Sequence, residues 1–159
     1  NWSEIDFTKK LWIIPPEHFK TRQEFRVPLQ PQAIKLLKSL PRMAGTDKIF
    51  PSPSGKALSD MALSQLMRGM RERGELRTEG VPHGFRSTLR DWSAEQTNYP
   101  DEIRKVASGH AVGDAVKEAY QRTDLLEKRR NLMNDWAVFL DKPSRRPTGN
   151  VVTLRQARR

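Results

Sequence analysis

The chain has 159 residues, 36% of them hydrophobic, which is enough for one compact domain with at most an appendage. Lys and Arg number 29 against 19 Asp and Glu, a net charge of +10 that disfavours an enzyme of neutral metabolites and favours a polyanionic partner, nucleic acid first and an acidic membrane surface second. The absence of Cys excludes disulfide scaffolds, Cys-ligated zinc and thiol catalysis, and no apolar run approaches the roughly 18 residues that span a bilayer.

No secretory signal opens the chain, so a reducing cytosol is the default compartment, and Asn1 in place of Met suggests a piece of a longer protein. The first elements read as β. Ile5 and Phe7 alternate with polar neighbours, and Leu11 to Ile14 is an apolar run of β-formers stopped by Pro15 and Pro16. Glu24 to Val27 is a third strand ending at Pro28, with Glu17 to Gln23 as the connection before it. The period then becomes helical. Ala33, Leu36, Leu37 and Leu40 form one stripe between Pro31 and Pro41. Leu63, Leu66, Met67 and Met70 form the next, with Ser59 as N-cap and Gly74 just past the end. Phe85, Leu89 and Trp92 mark a third helix, and Pro100 to Ser108 a short one stopped by Gly109. Residues 114–121 make another, and a long amphipathic helix after Thr123 carries Leu125, Leu132, Trp136 and Leu140. Three strands followed by at least five helices predict a mainly helical α+β domain over residues 1–141. From residue 142 to 159 there are six basic residues and no acid, which reads as a flexible basic tail. Trp2, Trp12, Trp92 and Trp136 read as core, Met61, Met67, Met70 and Met133 as packing, and His18 as a loop residue near Lys20.

Three short patterns could carry chemistry. In Pro82-His83-Gly84-Phe85-Arg86 a His and an Arg three apart share one face of a helix start, where first-turn N–H groups also favour an anion. A surface pair would look the same. Ser108-Gly109-His110 sets a His at a helix C-terminus, where bonding to the last carbonyls is the plain alternative. Tyr120 follows ten residues later, and a lone helical Tyr is commonly a packing residue.

Together, His-x-x-Arg, Gly-His and a Tyr ten positions on resemble the C-terminal signature of the tyrosine recombinases, the phage-type integrases. Trp2-Ser3-Glu4-Ile5-Asp6, Trp12-Ile13-Ile14-Pro15, Lys20-Thr21, Arg26-Val27-Pro28-Leu29 and Ile49-Phe50-Pro51-Ser52 are similar to that family too, as is the stretch from Pro82 to Leu140. The resemblance implies a small three-stranded antiparallel sheet followed by a helical catalytic core. It implies that Tyr120 attacks the scissile phosphate, that Arg86 clamps its non-bridging oxygens and that His83 and His110 bond to the phosphate. Lys20 would be the general acid for the departing 5′ oxygen. Arg22, Lys128, Arg129 and Arg130 are candidate DNA contacts. The partner implied is double-stranded DNA bearing attachment sites, bound by a homo-tetramer of the full-length protein, with this piece a monomer, no membrane, and no cofactor or metal. The setting implied is the bacterial cytoplasm and nucleoid.

The chemistry needs these residue types. A Tyr phenol with a pKa near 10 is ionised about once in a thousand molecules at pH 7, so nearby cations or a base must favour the phenolate. A planar Arg fork grips equatorial phosphate oxygens two at a time, which a Lys cannot do. A sugar alkoxide leaves poorly unless a proton arrives as the bond breaks. The family's first Arg has no counterpart here, so the expectation is that these 159 residues alone neither cleave nor trap DNA. The alternatives are a type IB topoisomerase, which shares the chemistry, a basic DNA-binding module that breaks nothing, and a basic helical domain whose His and Tyr are structural.

Overall fold

The computed structural model describes residues 1–76, 79–110 and 125–142. Tyr120, the helix expected at 114–121 and the basic tail beyond Lys142 lie outside the described residues.

Three strands form one antiparallel sheet in the order β1 (Ile5–Asp6), β2 (Leu11–Ile14), β3 (Phe25–Pro28). Ile5 pairs with Trp12, and Ile14 with Phe25. β2 stops where Pro15 and Pro16 cannot continue a ladder, and Pro28 is tolerated because β3 is an edge. β1 is shorter than its alternation predicts. The Asp6 carboxylate accepts the Lys9 N–H at 2.7 Å and Lys10 turns into the left-handed region at φ 55°, so the chain reverses before Phe7 can join the strand.

Among the described residues five α-helices follow: α1 (Pro31–Ser39), α2 (Ala62–Glu72), α3 (Pro82–Glu95), α4 (Asp101–Ala107) and α5 (Leu126–Asp141). The fold is therefore α+β and mainly helical, and no described helix is long and apolar enough to cross a membrane. Pro31 and Pro82 occupy first-turn positions, where a missing N–H is harmless. Ser59 is not the N-cap of α2. Its carbonyl accepts the Ala62 N–H in a preceding turn, and Met61, 53% exposed rather than packed, takes the cap position.

The core lies between α3, α4 and α5. Leu132, at 0% exposure, sits with Trp92, Ile103 and Leu125, and the rings of Trp92, Trp136 and Phe139 lie 5.0–5.4 Å apart around them. Trp2 joins the interior as expected, but Trp12 is 38% exposed and donates its indole N–H to Glu4 at 2.9 Å. The polar handle of the indole is satisfied at the surface, so its ring need not be buried. The other Tyr of the chain, Tyr99, donates its hydroxyl to Asp135 on α5 at 2.7 Å. Burial, and then Asp135, push that phenol up to about 12.

A buried residue of α5 helps tie the sheet to the helical core. Arg129 is 1% exposed, donates to the Arg26 carbonyl at 2.6 Å and lays its guanidinium over the Phe25 ring, 5.1 Å from the centroid.

Candidate active site

The end of α4 builds the first wall of the site. The Gly109 N–H bonds to the Val106 carbonyl at 2.9 Å and the His110 N–H to the Lys105 carbonyl at 3.0 Å, the paired bonds of a Schellman stop. Gly109 takes φ 67°, which a Cβ would resist, and this left-handed step turns His110 off the helix axis. It is thus the backbone of His110, not its ring, that satisfies the helix carbonyls. Ring atom Nδ1 is buried with no hydrogen-bond partner among the described residues.

The second wall is the start of α3. His83 and Arg86 stand at i and i+3 on one exposed face, and Arg90 continues that face at i+7. A Cβ at position 109 would lie 3.8 Å from Arg86 Nη2 and 3.9 Å from Phe19 Cζ, so both side chains stand at the α4 terminus within ordinary contact range. Phe19 belongs to the β2–β3 connection, whose short 3₁₀ turn Pro16–His18 is followed directly by Phe19 and Lys20. Its ring stacks on Phe25 at 4.5 Å between centroids and 3° between planes. Packing of Phe19 therefore carries Lys20 to the same place as Arg86 and His110.

The electrostatics of His110 record the crowding. Burial first, then Arg90, Arg86, Lys20 and His83 in that order, hold its imidazole below the usual 6.5. Lys20, His83, Arg86 and Arg90 have no hydrogen-bond or ion-pair partner among the described residues. Asp101, a carboxylate in electrostatic range of Arg90, is already held by Lys105 at 2.7 Å and Arg104 at 3.6 Å. Three cations and two imidazoles thus converge with no acid paired to the cations among the described residues, an arrangement suited to a phosphate.

Lys20, His83, Arg86 and His110 are four of the five residues expected in the site. The fifth, Tyr120, lies outside the described residues. Of the weaker candidates, Arg22 sits in the same loop at φ 55° and donates to the Glu17 carbonyl at 3.4 Å. Lys128 is exposed, Arg130 pairs with Glu127 at 3.4 Å, and Arg129 faces β3 rather than solvent. His18 bonds to Glu4 at 2.8 Å, which pins the turn before Lys20. Arg90 and Phe19 escaped the sequence reading. Arg90 was detectable as the next residue on the His83–Arg86 helical face, whereas nothing in sequence pairs Phe19 with Gly109.

The sequence profile of the phage integrase family matches residues 1–127. Prophage integrase IntA of Escherichia coli K12 is 34% identical over 137 residues, covering 86% of this chain and 32% of that protein. The integrase of enterobacteria phage P4 is 31% identical, covering 88% of the chain and 35% of its own length, and the integrase of Shigella phage Sf6 is 25% identical, covering 91% and 37%. The chain spans about a third of the length of the curated relatives it matches. No solved structure matches it.

Proposed function

This chain belongs to the phage integrase family, and on that premise we propose that it supplies the phosphate-binding and catalytic core of a tyrosine site-specific recombinase. The observation that carries the reading is the cluster of cations around His110 that have no ion-pair partner among the described residues. Double-stranded DNA would insert a scissile phosphate between α3, the α4 terminus and the Lys20 loop. Arg86 grips two non-bridging oxygens, and His83 and His110 bond to the same phosphate. The phenol of Tyr120 gives up its proton to water, and its oxygen forms a bond to phosphorus as the bond to the 5′ oxygen breaks. That oxygen takes a proton from the Lys20 ammonium and leaves as a 5′-hydroxyl. The product is a 3′-phosphotyrosyl link, which keeps the energy of the broken ester for rejoining.

Tyr99 is a poor rival for the nucleophile's role. A pKa raised to about 12 leaves its phenolate about a hundredfold scarcer than that of an ordinary Tyr, and its hydroxyl is committed to Asp135. In the cell the acting species is a tetramer of the longer protein on attachment-site DNA in the bacterial cytoplasm, and these 159 residues alone do not cleave.

The test is a suicide-substrate trap with a protein of the relatives' length containing this chain. Wild type and Tyr99→Phe should become covalently attached to DNA. Tyr120→Phe should bind DNA and form no adduct. Adduct formation by Tyr120→Phe, or attachment mapped to another residue, would overturn the assignment, and the absence of any adduct from wild type would favour a DNA-binding module that breaks nothing.

A further inference from the structure

Lys20 is exposed and has no bonding partner among the described residues, so its placement depends on the backbone that carries it. That backbone is fixed through its neighbour. Phe19 packs towards Gly109 on one hand and stacks flat on Phe25 on the other. Phe25 in turn lies under the guanidinium of Arg129, whose Nη1 holds the next carbonyl of β3, that of Arg26, at 2.6 Å. A buried arginine can do both because its charge is spread over a plane that lies along a ring while its edge donates to a carbonyl. A lysine, a point charge on a flexible stem, cannot do both. Arg129 stands on α5, nine residues after Tyr120, so the same helix follows the segment that bears the nucleophile.

We propose that Arg129 is a positioning residue for proton delivery: through the Phe25–Phe19 stack it holds Lys20 against the phosphate gripped by Arg86. The inference rests on the reading of Lys20 as the general acid. It predicts that loss of Arg129 slows the step in which the 5′ oxygen takes the Lys20 proton, while leaving phosphate binding and the attack of Tyr120 intact.

A substrate whose 5′ bridging oxygen is replaced by sulfur separates these effects. A thiol, with a pKa near 8.5, departs as a thiolate without being protonated, whereas an alkoxide does not. Single-turnover cleavage of the oxygen and sulfur substrates is measured for the longer protein and for Lys20→Ala, Arg129→Lys, Phe19→Leu and Arg86→Ala, with DNA affinity and melting temperature as controls. Arg129→Lys and Phe19→Leu should cleave the oxygen substrate at least about tenfold more slowly than wild type, and sulfur should restore them to within roughly threefold, as it restores Lys20→Ala. Arg86→Ala should stay slow on both. Phe19→Leu leaves α5 untouched, so it decides the matter if Arg129→Lys fails to fold. Wild-type rates on oxygen, or equal defects on both substrates, would overturn the positioning role. A Lys20→Ala variant that sulfur does not restore would overturn the acid assignment and this inference with it, while leaving the Tyr120 attachment result standing.

Discussion

Replacing Gly109 with Ala separates backbone strain from crowding at the centre of the site. The methyl group would meet Arg86 Nη2 at 3.8 Å and Phe19 Cζ at 3.9 Å, ordinary van der Waals separations, so no clash is created. What remains is the φ of 67° and the Schellman bonds that depend on it. Holding an alanine in the left-handed region costs about 1–2 kcal/mol. In a chain of this size each kcal/mol lowers the melting temperature by about 2–4 °C, so the variant should melt about 2–8 °C below wild type. Asn tolerates the left-handed region better than Ala, so Gly109→Asn should lose less. Thermal unfolding followed by circular dichroism measures all three proteins. An alanine variant as stable as wild type, or an asparagine variant less stable than alanine, would refute the view that conformation rather than contact reserves this position for glycine.

Leu132→Ala should be the costlier change, about 2–5 kcal/mol by denaturant unfolding, because the side chain is wholly buried among Trp92, Ile103 and Leu125. His110 contributes a pH dependence of known sign. Its folded pKa lies below the unfolded 6.5, so the unfolded chain binds the extra proton and stability falls as pH drops below 6.5 until the folded value is passed. His110→Asn should flatten the stability profile in that window. Arg90→Ala should move the His110 imidazole titration, followed by NMR, up towards 6.5, since Arg90 is the foremost charge depressing it. In the longer protein the same variant should reduce the slope of log affinity against log salt by about one. An unchanged titration and an unchanged slope would place Arg90 outside the site.

Much of this organisation was legible from local signals. Pro15-Pro16 and Pro31 to Pro41 bound β2 and α1 because proline fixes φ and removes a donor, and Gly74 and Gly109 mark helix ends because each helix stops in the left-handed region. The helical face of His83 and Arg86 follows from spacing alone. Tertiary chemistry was less visible. Trp12 looks like core by composition, but the carboxylate of Glu4, eight residues earlier, satisfies its indole at the surface. Arg129 looks like a solvated basic residue between Lys128 and Arg130, yet it alone of the three turns to the buried side, since the carbonyl and ring that receive it come from β3, over a hundred residues earlier. No sequence window contains both partners of such a contact.

The gathering of Lys20, Arg86 and Arg90 around a half-hidden imidazole means that the unliganded chain carries internal repulsion around that ring. A multivalent anion seated there relieves that tension, so occupancy and folding are thermodynamically coupled, and the melting point climbs with the logarithm of ligand concentration. A polyanion bound there would therefore lend the protein some of its resilience.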